Sequence, residues 1–134
     1  MGLVIDTSAL IAWERSGRAA SSTLPLDEEV VVPAIVWAEA LIGVRLADSA
    51  ERAARRRARL EQLRLLIPIE SFTPEIAESY ADIYTELNKA GGLIPQNDMA
   101  VAATARYKQF GVLIGLQDEA HFRRVAGLRL VTLT

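Results

Sequence analysis

The chain has no cysteine and a single histidine among its 134 residues. Without thiols there is no disulfide framework and no thiolate nucleophile, and the usual cysteine and histidine sets that hold zinc cannot be assembled. Any bound metal must rest on oxygen ligands, which suit Mg²⁺ or Mn²⁺. Long apolar runs are missing too: 51% of the residues are hydrophobic, yet no unbroken stretch approaches the roughly 20 residues that span a bilayer. Asp6 interrupts the opening apolar run, so that run does not read as a secretory signal. These absences predict a soluble, cytoplasmic protein that makes no membrane contact. The G-x-S-x-G elbow of serine hydrolases is absent as well, and His121, set in the charged segment from Asp118 to Arg124, reads as a surface residue.

A strong positive balance is also lacking, since the formal net charge is −2. Phosphate binding relies on Lys and Arg, so the sum alone speaks against a nucleic-acid partner, but the distribution matters more. Arg52, Arg55, Arg56, Arg57, Arg59 and Arg64 gather in one segment, and Arg123, Arg124 and Arg129 in another. Glu51 and Glu61 offer the first group helical salt-bridge partners, so that group reads as a solvated helix face. Arg123 and Arg124 are the candidate RNA contacts.

What the chain does contain is a set of acids in unusual company. Val4-Ile5-Asp6-Thr7-Ser8-Ala9-Leu10 delivers a carboxylate and two hydroxyls from the end of an apolar strand. Asp6 taken alone is equally well explained as a helix N-cap. Three further acids abut segments that should be buried: Glu39 within Ile35–Ile42, Asp98 opening Met99–Ala105, and Asp118 after Val112–Leu116. If the four converge, their mutual repulsion calls for divalent cations, and such an arrangement supports phosphodiester hydrolysis by metal-activated water.

At this length the chain reads as one domain over residues 1–134. Short β-type runs alternate with helical ones, which predicts an α/β domain with a largely parallel sheet. Strands are expected at Leu3–Asp6, Val30–Val32, Leu66–Ile69 (an edge, because Pro68 cannot donate), Val112–Leu116 and Leu128–Leu133. Helices are expected at Ser8–Glu14, from Pro33 to about Ala47, from about Ser49 to Leu66, from Thr73-Pro74 to about Ala90, and from about Asn97 to Tyr107. Asp6 and Asp118 then both follow strands, where open α/β sheets place their sites.

The acid-bearing segments resemble those of PIN-domain ribonucleases. Val4–Leu10 is similar to the opening of that family, Val32–Glu39 to the segment of its second acid, Ile94–Ala105 to that of its third, and Gln117–Leu128 to its C-terminal one, so the resemblance covers essentially the whole chain. In length and arrangement the chain is similar to VapC toxins of bacterial and archaeal toxin–antitoxin pairs. The resemblance implies a PIN-like three-layer α/β/α domain with a central, mainly parallel sheet, and a Mg²⁺- or Mn²⁺-dependent endoribonuclease held in check by a VapB-like antitoxin. It implies catalytic and metal-binding roles for Asp6, Glu39, Asp98 and Asp118, with Ser8 supporting them by hydrogen bonding.

A homodimer through the helical face is likewise implied, and an antitoxin is expected to cover the early helices at Trp13, Trp37, Leu41 and Leu46. Both tryptophans can equally be core residues. The chain departs from the family pattern at Leu116, where a Thr is common, so a hydroxyl near Asp118 is missing; Ala38 replaces the small or hydroxylated residue often found before the second acid. A receiver domain would need an acidic pair after its first strand and a Lys after its last, and a D-x-D phosphatase needs a second Asp where Ser8 stands. The alternative of a different class is a PIN-fold RNA- or protein-binding module with little or no nuclease activity.

Overall fold

The computed structural model describes residues 1–115 and 119–133. Among these, β1 (Gly2–Ile5) is the central strand of a five-stranded sheet in which every pairing is parallel. On one side β1 pairs with β2 (Glu29–Pro33), which pairs with the edge strand β3 (Ile69–Glu70). On the other side lie β4 (Gly111–Ile114) and the second edge strand, β5 (Leu130–Thr132), giving the order β3-β2-β1-β4-β5. The apolar runs explain the centre: Leu3, Val4, Ile5, Val112, Leu113 and Ile114 are all fully or almost fully buried, as expected for a parallel sheet covered on both faces. The result is a three-layer α/β/α domain.

Seven helices are described: α1 (Thr7–Ser16), α2 (Ala20–Thr23), α3 (Ala34–Arg45), α4 (Ala50–Leu66), α5 (Pro74–Lys89), α6 (Gln96–Lys108) and α7 (Glu119–Arg123). Local chemistry sets most of their ends. Ser49 and Thr73 cap α4 and α5 through their hydroxyls, Pro74 occupies the first turn of α5, and α1 stops at Gly17, whose φ of 68° suits a residue without a Cβ. The middle of helix α6 is apolar almost all round, with Val101, Ala102, Ala103 and Ala105 buried, so its small side chains let it lie close to the sheet while α5 packs on its other flank. There Ser79 Oγ donates to Ala103 O at 3.0 Å.

The expected strand at Leu66–Ile69 is displaced. Helix α4 runs through Leu66, Pro68 lacks an N–H and contributes only its carbonyl to Val32 N at 2.9 Å, and β3 begins at Ile69. The first arginine group divides by function. Arg52, Arg55 and Arg57 make exposed i,i+4 pairs with Asp48, Glu51 and Glu61, as the solvated-face reading has it. Arg56 and Arg59 instead pin α4 to the early helices, Arg56 reaching Glu14 at 2.7 Å and Gly43 O at 2.8 Å, and Arg59 reaching Trp13 O at 2.8 Å. None of the described helices is long and apolar enough to cross a membrane.

Candidate functional site

The chain leaves β1 and changes direction at Asp6. On one flank of β1 the sheet runs to β2 and β3, and on the other to β4 and β5, so the strand order reverses here and the carboxyl ends of β1 and β4 border a crevice. Asp6 fills the junction. Its N–H completes the sheet by donating to Leu113 O at 2.9 Å, and its side chain caps α1 by accepting from Ser8 N at 3.2 Å. Ser8 Oγ also donates to Asp6 Oδ2 at 2.6 Å and accepts from Gly115 N at 2.9 Å, tying the acid at the end of β1 to the loop beyond β4. Close approach makes this possible, because a Cβ on Gly115 would lie 2.8 Å from Ser8 O.

The N-cap role is therefore real but incomplete as an explanation. Asp6 is only 2% exposed, and its second oxygen, Oδ1, is buried without a hydrogen-bond partner among the described residues. Burial raises its carboxyl above the ordinary 3.8; the two Ser8 hydrogen bonds oppose that rise and the charge of Asp98 adds to it. A helix cap needs neither the orphaned oxygen nor the like charge.

The neighbouring acids are held by specific partners. Glu39, half-buried on α3, accepts from Thr7 Oγ1 at 2.7 Å, which fastens it to the residue next to Asp6. Asp98, in the first turn of α6, is bound through Oδ2 by His121 Nδ1 of α7 at 2.7 Å. Among the described residues no three His, Asp or Glu side chains are closed up as a metal-holding group, and Asp118, like Leu116 beside it, lies outside the described residues. The donor chemistry nonetheless fits a hard divalent cation: the set is all carboxylate oxygen, one of these oxygens is buried and unpartnered, and two of the carboxylates repel each other. A cavity of about 630 Å³ opens between α3, α5 and α6, walled by Pro33, Ile35, Ala38, Glu70, Phe72, Tyr80 and Asn97; none of Asp6, Glu39 and Asp98 lines it.

Two residues of this neighbourhood carry no clear sequence signal. His121 does not stand apart on the surface; its ring is 40% exposed and its Nδ1 is engaged by Asp98. Thr7 was visible only as one of two hydroxyls following Asp6. Of the second arginine group, Arg123 and Arg124 are exposed, with Arg124 donating to Leu93 O at 3.3 Å, and Arg129 is bound to Glu28 and to Gly2 O.

The expected antitoxin contacts need correction. Trp13 is fully buried, its ring under the Arg59 guanidinium at 3.9 Å, and Trp37 is 9% exposed, so neither offers a surface to a partner. Helix α4, folded back over α1 and α3, covers what the sequence left open. Leu41 is half-buried, and Leu46 together with Ile42 is exposed.

The fold and this acidic junction define a recognisable class. The family model of the PIN domain matches residues 3–128. Ribonuclease VapC1 of Rickettsia felis (strain ATCC VR-1525 / URRWXCal2) is 33% identical over 135 residues, covering 100% of this chain and 98% of that protein. Ribonuclease VapC of Rickettsia bellii (strain RML369-C) is 30% identical, covering 99% and 97%. Among solved structures, VapBC2 from Rickettsia felis bound to a DNA fragment from their promoter superimposes with a TM-score of 0.86 at 20% identity over 100% of both chains. The chain belongs to the PIN-domain family, among the VapC ribonucleases.

Proposed function

We propose that the protein is a Mg²⁺- or Mn²⁺-dependent endoribonuclease and the toxin of a VapBC-type pair. The observation that carries this reading is the buried Oδ1 of Asp6, unpartnered among the described residues, beside Asp98 at the strand-order reversal of a VapC-type fold. Asp6, Glu39 and Asp98 would hold the metal, with Asp118 joining them and Ser8 fixing the orientation of Asp6. When bound, a divalent ion supplies charge neutralisation and a more acidic water for attack on the phosphodiester. The protein's own part is to keep Asp6 dehydrated, to aim its carboxylate through Ser8 and Gly115, and to guide the RNA backbone past Arg123 and Arg124. This reading is favoured over a binding module because a buried carboxylate with an unsatisfied oxygen is costly to stability, a cost that a bound divalent cation would offset.

The chemistry of the product ends tests the mechanism. Water attack leaves a 5′-phosphate and a 3′-hydroxyl. The alternative, attack by the ribose 2′-hydroxyl, is ordinarily run by an acid and base pair of histidines, and this chain has a single histidine. End-group analysis of cleaved RNA should therefore show 5′-phosphates; a predominance of 2′,3′-cyclic phosphate would contradict the assignment.

The partner follows from the same charges. A VapB-like antitoxin is expected to send an Arg or Lys toward Asp6, Glu39 and Asp98 and to lay an apolar segment along α3 at Leu41, Ile42 and Leu46. Exposed apolar side chains such as Phe72, Leu65 and Leu66 support the further expectation of a homodimer. Co-expression with the adjacent small open reading frame, followed by size-exclusion chromatography and an RNase assay, should give a stable, inactive complex. A monomer neither bound nor inhibited by that product would remove the toxin assignment and leave the nuclease standing.

A further inference from the structure

We infer that His121 is a positioning residue: its imidazole holds the Asp98 carboxylate in the orientation needed to bind the divalent ion. The inference rests on the proposed metal-dependent reading and adds a residue to it. Asp98 reaches the site from the first turn of α6, and its side chain is 23% exposed while facing the negative charge of Asp6. A carboxylate so placed gains by swinging away toward water. One contact that opposes this runs from His121 Nδ1 to Asp98 Oδ2 at 2.7 Å, made across 23 residues of sequence.

A carboxylate only accepts, so Nδ1 carries the hydrogen. The ring is thereby fixed in one sense, with Nδ1–H committed to Asp98, the relation that orients carboxylates and imidazoles around metal centres. The partner is well chosen for a site already rich in negative charge, since an imidazole donates a hydrogen bond without occupying the space between the acids. His121 also stands on α7, the helix that follows the segment carrying Asp118.

The test uses Mn²⁺ binding, read from the electron paramagnetic resonance of free Mn²⁺, on the purified full-length protein and its His121→Ala, His121→Asn and His121→Gln variants. Asparagine places an amide N–H near the position of Nδ1, whereas glutamine reaches the position of Nε2. His121→Ala should weaken Mn²⁺ binding by about 10–100-fold with the melting temperature little changed, His121→Asn should recover most of the loss, and His121→Gln should not. Because the chain has one histidine, its imidazole ¹⁵N resonances are assigned without ambiguity, and in the parent protein they should show a proton on Nδ1. Parent-like Mn²⁺ affinity in His121→Ala, or an unprotonated Nδ1 in the parent, overturns this inference alone. A parent protein that binds no Mn²⁺ overturns the metal-dependent reading, and the inference with it.

Discussion

Replacing Asp6 by asparagine is expected to abolish RNA cleavage while leaving the metal-free protein at least as stable as its parent. The two effects have one cause. Asp6 stands almost closed off from solvent, with one oxygen unpartnered among the described residues and the charge of Asp98 nearby. Burial has raised its carboxyl above 3.8, so between that value and the raised one the folded protein binds more protons than the unfolded chain. Stability therefore falls as pH rises through that window, and above it the full cost of the buried charge remains.

Asparagine keeps an acceptor for Ser8 and the N-cap of α1, and it offers an N–H where the orphaned oxygen was. In EDTA at neutral pH the variant should melt no lower than the parent, and the acid-range slope due to Asp6 should vanish. Its RNase activity with Mg²⁺ should drop at least about a hundredfold, since even the hydrogen-bond partners of metal ligands are worth roughly 10–100-fold. A variant that melts lower in EDTA would mean that Asp6 serves the fold first.

The second large effect concerns Trp13. Trp13→Ala should cost about 3–5 kcal/mol, a drop in melting temperature on the order of 10–20 °C, because it empties a fully buried site and strips Arg59 of the ring it covers. Against a typical stability of about 5–15 kcal/mol this is severe. Trp13→Phe should cost clearly less, since it retains a ring under the guanidinium and removes an indole Nε1 that is buried without a hydrogen-bond partner among the described residues. Thermal melts of the two variants decide the matter. If Trp13→Ala instead melts like the parent and loses only antitoxin affinity, the tryptophan belongs to the partner surface after all.

These two residues mark how far the sequence could be read. Asp6 was legible because everything that defines it is local: an apolar strand before it, hydroxyls after it, and a helix that needs a cap. The same holds for Ser49, for Thr73 with Pro74, and for the β-branched Val30–Val32, whose structures follow from their own neighbours. Trp13 was ambiguous because its burial depends on Arg59, which lies 46 residues away on α4. His121 reads as a surface residue from its charged surroundings, and only the folding of α7 against α6 brings it to Asp98. The short α2 and the shifted β3 escaped for a related reason, as the first has no periodicity to show and the second is set by where α4 ends.

The central claim is that the acids of this junction act through a divalent cation. The most direct measurement is cleavage of a labelled RNA by the parent protein and Asp6→Asn, purified in parallel, each with Mg²⁺ and with excess EDTA. The account predicts that the parent with Mg²⁺ cuts and that the other three samples do not. Equal cleavage in EDTA, or by Asp6→Asn with Mg²⁺, would contradict it.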